Sequence, residues 1–139
     1  MYITLESDYA IRITNFLAMR DTRIDAKSIA ENTGVSHRFC LKILRKLVAN
    51  GIAASFKGAK GGYILARNPG DITLKDIIET VEGEYIFSRC LDKEFVCPGI
   101  DEKSCYLGRI FQNISHTISD MLKKITVEQM ICEVKNKSL

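Results

Sequence analysis

Residues 25–47 read DAKSIAENTGVSHRFCLKILRKL and contain two amphipathic segments separated by a tight turn. Asp25 is suited to cap a short first helix, because a side-chain oxygen at that position accepts a free backbone N–H. Gly34 suits the left-handed backbone that often follows a helix. Ser36 can cap a second helix, which we expect to run to about Asn50. This order predicts a helix-turn-helix.

The second helix of this pair separates its apolar and polar side chains. Its apolar stripe predicts burial and contains Cys40, Ile43, Leu44 and Leu47. A helix that enters the major groove of DNA needs long or polar side chains near its N-terminus. The candidate DNA-contacting residues of this helix are Ser36, His37, Arg38, Lys42 and Arg45. Of these, Arg38 can reach guanine or phosphate, Lys42 and Arg45 suit the DNA backbone, and Ser36 at the helix N-terminus suits a phosphate.

A basic hairpin follows the second helix. Two strand-like runs, 52–56 and 63–66, flank the glycine-rich sequence KGAKGG at 57–62. The glycines let the backbone approach a duplex closely. Lys57 and Lys60 give the tip a positive charge that suits the minor groove or its flanking phosphates. The hairpin is therefore expected to be the wing of a winged helix-turn-helix, with a solvated hairpin of an ordinary α+β domain as the alternative.

The remaining periodic segments are helical. Apolar residues recur at helical spacing over 6–20, over 74–82 and over a long run from about 104 to 125, and Thr126 begins a last helix. The expected fold is mainly α with a small β-hairpin wing (α+β), a winged helix-turn-helix followed by a long dimerisation helix.

We expect three regions along the chain. A DNA-binding winged helix-turn-helix domain would occupy residues 1–83. A loop without sustained periodicity, which carries cysteines, would occupy 84–105. The dimerisation helix and a C-terminal helix would occupy 106–139.

The charge is unevenly distributed along the 139 residues. The net charge is +3, but residues 1–67 hold 11 Lys and Arg against 5 Asp and Glu, a local net charge of +6. A basic N-terminal half indicates a polyanionic partner. No apolar run is long enough to span a bilayer and no signal peptide is visible, so the expected location is the cytoplasm. No paired carboxylates, catalytic triad or phosphate-binding loop indicates an enzyme.

Three of the five cysteines lie close together in sequence. Cys90, Cys97 and Cys105 have the spacing C-x6-C-x7-C, which is looser than that of zinc knuckles. Three thiolates on a flexible loop suit an iron–sulfur cluster, in which each cysteine binds a different iron. One iron of a [4Fe–4S] cluster would then lack a thiolate and be open to oxygen or nitric oxide. Zinc and a redox disulfide remain alternatives. We expect Cys40 and Cys132 to be packing residues.

The sequence resembles the IscR/NsrR family of bacterial winged-helix regulators over nearly its whole length. The residues that carry the resemblance are TLESDYAIR at 4–12, IAENTGVSHRFCLKILRKL at 29–47, KGAKGGYIL at 57–65, the cysteine loop and Ile125-Thr126-Val127. The resemblance implies a homodimer whose long helix crosses its partner. It also implies that two recognition helices bind a near-palindromic double-stranded DNA operator.

The resemblance further implies a cluster that senses nitric oxide, oxygen and redox state, or iron–sulfur status, with [4Fe–4S] favoured over [2Fe–2S]. Members similar to IscR use a histidine shortly after the third cysteine, but residues 106–109 here are YLGR. Members similar to NsrR use an aspartate near the N-terminus of the partner subunit, matched here by Asp8 in Ser7-Asp8-Tyr9. Asp8 is therefore the candidate fourth ligand. The alternative is a cluster-free regulator of cysteine or sulfur metabolism that responds to a partner protein or to thiol state.

Overall fold

The computed structural model describes residues 3–98 and 105–137. The helices are α1 (Leu5–Ala18), α2 (Ala26–Thr33), α3 (His37–Ala49), α4 (Leu74–Glu82), α5 (Tyr106–Lys124) and α6 (Val127–Lys137). The strands β1 (Ala53–Phe56) and β2 (Gly62–Leu65) pair antiparallel, with Ala53 opposite Leu65 and Phe56 opposite Gly62. Short 3-10 turns cover Pro69–Asp71 and Arg89–Leu91. The expected winged helix-turn-helix with a long following helix is confirmed.

The helix-turn-helix forms where its caps predict it. Asp25 accepts hydrogen bonds from the backbone N–H and the hydroxyl of Ser28, at 2.9 and 2.6 Å, and these bonds lower the pKa of its carboxyl. Gly34 follows α2 with a φ of 69°, a left-handed conformation that a side chain disfavours. Ser36 Oγ then accepts from Phe39 N at 3.4 Å at the start of α3. These local bonds and the Gly34 conformation define where α2 ends and where α3 begins.

A continuous core lies beneath the helix-turn-helix. Its buried members come from α1, α2, α3, the start of β1, the segment before α4, α4 itself and α6. The fully enclosed larger side chains are Ile13, Leu17, Ile29, Ile43, Leu44, Leu47, Ile52, Ile72, Ile77 and Val127. Burial of a side chain of this size contributes about 1.5–3 kcal/mol. This core holds α3 rigidly with its polar face outward.

The C-terminal helix returns to the N-terminal core. Val127 is fully buried and Ile131 is 7% exposed, and both belong to the same apolar cluster as α1. An isolated antiparallel bridge joins Thr73 to Thr126, with Leu74 N donating to Ile125 O at 2.8 Å. The expected region 106–139 therefore includes a helix that packs on the winged helix, and the division of the chain into three regions stays a prediction.

The long helix begins later than the periodicity suggested. We expected a start near 104, and α5 starts at Tyr106 with Cys105 as its cap. Cys105 Sγ accepts a hydrogen bond from Gly108 N at 3.3 Å. Residues 99–104, within the expected cysteine loop, lie outside the described residues. Among the helices of the described residues, none has the length and apolar character required to cross a membrane.

Candidate nucleic-acid interface and cysteine cavity

The exposed face of α3 gathers the predicted DNA-contacting side chains. Ser36, His37, Arg38, Lys42 and Arg45 are all exposed, whereas the apolar stripe of the same helix is buried. His37, Arg38, Lys42 and Arg45 line one shallow concave surface together with Phe39 and Leu41. The first three turns of α3 therefore present four cationic or imidazole side chains beside an aromatic ring.

Lys42 is already engaged by a carboxylate of α1. Its Nζ lies 3.0 Å from one oxygen of Glu6, and Lys46 Nζ lies 2.7 Å from the other. Lys46 also donates to Val81 O of α4 at 2.9 Å. The hydrogen bond from Lys46, followed by that from Lys42, lowers the pKa of Glu6 against the opposing effect of desolvation. The sequence pattern gave no sign of this pairing, which neutralises part of the cationic surface.

A second carboxylate, that of Glu82, joins the start of α1 to the end of α4. Glu82, the last residue of α4, accepts a hydrogen bond from Thr4 Oγ1 at 2.6 Å and another from the hydroxyl of Ser7. Ser7 is fully buried. The N-terminal turn of α1 is thus held to the C-terminal end of α4, directly before the cysteine loop begins.

The wing projects two lysines from a tightly built hairpin. Lys57 and Lys60 are exposed at the tip. Ile24 forms an antiparallel bridge to Tyr63, with N–H to O=C distances of 3.0 and 2.8 Å, and so adds a third extended segment to the hairpin. Gly62 has a φ of 131°, and a Cβ there would lie 2.7 Å from Ile24 O, so only glycine permits this approach.

Arg23 contacts both sides of the wing tip. Its guanidinium lies 3.6 Å from the centre of the Phe56 ring, and its Nη1 lies 3.5 Å from Lys60 O. No periodicity or motif in the sequence marks Arg23 for this role. Its contacts depend on tertiary structure, because Phe56 follows 33 residues later in the chain.

The three clustered cysteines line one cavity of about 640 Å³. Cys90 and Cys105 are half-buried and Cys97 is exposed. α4 contributes Lys75 and Glu79 to the walls, and α5 contributes residues between 108 and 119. The structure therefore brings the predicted thiol ligands to one concavity. Within residues 3–98 and 105–137, however, no three His, Cys, Asp or Glu side chains are grouped closely enough to share one metal ion.

Asp8 does not lie among the residues that line the cavity of its own chain. Its carboxylate pairs with Arg12 at 2.8 Å, one helical turn along α1, and its side chain is 45% exposed. This position leaves Asp8 accessible to a second copy. Its role as a fourth ligand supplied by a partner stays a prediction.

His116 lies on the wall of the cysteine cavity. It falls off the apolar stripe of α5, so the sequence predicts a solvated side chain, and His116 is exposed. It follows Cys105 by 11 residues, about three helical turns, which places both on the same side of the helix. This spacing is the feature of the sequence that could have placed His116 beside Cys105.

The other two cysteines differ in environment. Cys40 is fully buried, as expected, and burial raises the pKa of its thiol to about 11. Cys132 is exposed on α6 of the single chain, whereas we expected a packing residue. The apolar face of α6 uses Val127 and Ile131 instead, which leaves Cys132 on the outer side.

Comparisons with known proteins agree with this geometry. A family model, Rrf2, described as an iron-dependent transcriptional regulator, matches residues 3–133. The HTH-type transcriptional regulator IscR of Pectobacterium atrosepticum is 27% identical over 133 residues, covering 94% of this chain and 79% of the relative.

Solved structures show the same fold. The structure of T. potens IscR superposes with a TM-score of 0.79 at 26% identity, covering all of this chain and 92% of that one. The structure of CymR, the global cysteine regulator of B. subtilis, superposes with a TM-score of 0.75 at 24% identity, covering 96% and 98% of the two chains. At that identity the second likeness supports the fold alone.

Proposed function

Because this chain belongs to the Rrf2 family of iron-dependent transcriptional regulators, which are not enzymes, we propose that it is a dimeric DNA-binding regulator whose operator affinity is gated by an iron–sulfur cluster. The observation that carries the proposal is the placement of three cysteines around one cavity that α4 and α5 border. α4 also contacts the recognition helix α3 through Lys46 and Val81 O. A regulator of transcription works beside the chromosome, so we place this protein in the cytoplasm.

The recognition helix and the wing would share the contacts to DNA. In this proposal Arg38 reads guanine or holds a phosphate, Arg45 and Lys42 contact the DNA backbone, and Ser36 with the α3 N-terminus binds a phosphate. His37 lies beside them on the exposed face. Lys57 and Lys60 extend to the minor groove or its flanking phosphates.

A second copy of the chain would cover the exposed apolar face of α5. Tyr106, Leu107 and Met121 are 68%, 58% and 62% exposed on this 19-residue helix. Such a row of large apolar side chains on a water-soluble surface is characteristic of an interface. A two-fold axis across α5 would present two recognition helices to successive major grooves.

The chemical type of the ligand atoms around the cavity suits an iron–sulfur cluster. Cys90, Cys97 and Cys105 supply the soft thiolates that iron prefers, and Asp8 from a second copy would supply the fourth ligand. A [4Fe–4S] cluster held by these three cysteines would supply one iron without a thiolate, and such an iron would be open to nitric oxide or oxygen. Cys105 caps α5, and Cys90 follows α4 closely, so ligation at both ends would fix the loop between the two helices.

The test measures DNA affinity before and after exposure to nitric oxide, first in the wild type and then in a variant that lacks one loop thiol. Full-length protein purified without oxygen would be used to select a duplex from a random pool, and affinity for that duplex would be measured before and after nitric oxide. Coupling of about 1–3 kcal/mol corresponds to a 5- to 150-fold change in affinity. Cys97→Ala should abolish the change, and Cys132→Ala is the matched control, because Cys132 lies outside the cavity. Equal affinity in both states would refute gating.

A cluster-free regulator is the second candidate. It is favoured by the finding that, in the part of the chain described here, no three potential ligand side chains are grouped around one metal position. Such a protein would respond to thiol state or to a partner protein, in the control of cysteine or sulfur metabolism. Anaerobic protein that is colourless near 400 nm, with iron and sulfide absent, would support this candidate.

A further inference from the structure

We propose that Arg23 is a positioning residue for DNA binding, which holds the wing tip so that Lys57 and Lys60 meet phosphates at a fixed place. The proposal rests on the winged-helix DNA-binding function above and adds a residue from outside both the recognition helix and the hairpin. The guanidinium of Arg23 lies over the Phe56 ring at 3.6 Å from its centre. This is a close cation–π contact, well within the range of about 6 Å over which such contacts act.

The position of Arg23 lets it connect the two ends of the tip. Phe56 is the last residue of β1, and Lys60 precedes the two glycines from which β2 begins. Arg23 Nη1 points to Lys60 O at 3.5 Å, a long contact, so that stacking on Phe56 is the stronger of the two. One planar side chain therefore contacts both the end of β1 and the tip loop that carries the lysines.

The backbone next to Arg23 is fixed independently of its side chain. Ile24 exchanges two hydrogen bonds with Tyr63, at 3.0 and 2.8 Å, and Gly62 permits the close approach. The side chain of Arg23 therefore extends to the wing tip from a backbone segment that these hydrogen bonds hold in place. A side chain anchored in this way reduces the freedom of Lys57 and Lys60, and ordering before binding lowers the entropic cost of the DNA contact.

Salt dependence separates positioning from a direct phosphate contact. Each phosphate that a protein neutralises adds about 0.9 to the slope of log affinity against log salt. Binding of full-length protein to a fluorescein-labelled 30-base-pair duplex of mixed sequence would be measured from 50 to 300 mM KCl. The double variant Lys57→Ala/Lys60→Ala should flatten the slope by about 1.8 per protomer.

Arg23→Ala should flatten the slope in the otherwise wild-type protein and leave it unchanged in the background of the double lysine variant. A further loss of about 0.9 in that background would show that Arg23 itself contacts phosphate, and would overturn the positioning role. Arg23→Lys keeps the charge without the planar fork, so recovery of the full wild-type slope would also overturn it. Phe56→Leu removes the stacking partner and should reproduce the effect of Arg23→Ala without adding to it.

Arg20→Ala is the matched control. Arg20 carries the same charge and also stacks on an aromatic ring, that of Phe16, at 4.6 Å, but this pair lies at the C-terminal end of α1, where Arg20 follows the last helical residue. We expect the salt slope of Arg20→Ala to equal that of the wild type. If the double lysine variant retains the full slope, the wing does not contact DNA, and the proposed function of the hairpin fails together with this inference. If only Arg23→Ala retains it, the inference alone fails.

Discussion

Removal of the Glu6 carboxylate should weaken folding and strengthen DNA binding at the same time. Glu6 pairs with Lys42 at 3.0 Å and with Lys46 at 2.7 Å, and it therefore competes with phosphate for Lys42. Glu6→Gln keeps the size of the side chain and removes its charge. Lys42 is then free to contact the DNA backbone, while Lys46 keeps its bond to Val81 O at 2.9 Å.

The expected size of each effect follows from the exposure of the pairs. The three side chains are 22% to 53% exposed, so solvent screens both ion pairs. Pairs of this kind contribute about 0.2–1 kcal/mol each, and we expect a loss of about 1 kcal/mol of unfolding free energy. In a chain of this length that corresponds to a fall in melting temperature of about 2–4 °C.

The effect on DNA binding should depend on salt. One additional phosphate contact steepens the salt slope by about 0.9, so the advantage of Glu6→Gln over wild type should shrink about 3-fold between 50 and 200 mM salt. The assay is fluorescence anisotropy on a labelled duplex. Glu128→Gln, an exposed carboxylate on α6, controls for the general effect of removing one negative charge.

The pH dependence gives a further check on the same variant. In the wild type, Lys46 and Lys42 lower the pKa of the Glu6 carboxyl from 4.5. The stabilisation of the fold by these two ion pairs is therefore fully present above pH 4.5 and is lost as the pH falls through the lowered pKa. The stability difference between wild type and Glu6→Gln should therefore narrow below pH 4.5. Equal salt slopes for the two proteins, or a difference in stability that persists at low pH, would refute this account.

Three further outcomes follow from other parts of the structure. Gly62→Ala should weaken duplex binding in anisotropy titrations, because its Cβ would lie 2.7 Å from Ile24 O at a φ of 131° and so displace the wing. At pH 8, Cys97 should react with Ellman's reagent before Cys40, because burial raises the pKa of Cys40 to about 11; equal rates would contradict the buried position. Thr73→Ala should cost about 1 kcal/mol in urea unfolding, because it removes one half of the capping box at the start of α4, whereas an unchanged midpoint would argue against the box.

Local signals predicted the elements well where caps and turns define them. The apolar periodicity over 74–82 predicted α4, and the helix occupies those residues between the capping residues Thr73 and Gly83. Asp25, Gly34 and Ser36 likewise marked the ends of the helices in the helix-turn-helix. In each case the bond or backbone angle that ends the helix lies within four residues of it, so that the sequence alone contains the information.

Contacts between distant segments were the ones that sequence patterns missed. The partners of Glu6 lie on α3, 36 and 40 residues away, and the aromatic partner of Arg23 lies on β1. No periodicity marks such pairs, because each depends on how two elements cross. The candidate cysteines could be predicted from their spacing, whereas the 11-residue spacing from Cys105 to His116 indicates a shared cavity wall only once the start of α5 is known.

The packing of α6 has a consequence for the synthesis of the protein. Val127 and Ile131 fill the space beneath α1, and the Thr73–Thr126 bridge holds the junction of α5 and α6 beside α4. The helix α6 follows the helix-turn-helix in the chain, so a nascent chain that already contains the whole helix-turn-helix still lacks Val127 and Ile131 from its core. The core beneath the DNA-reading surface is consequently complete only after α6 has been synthesised and has packed against α1.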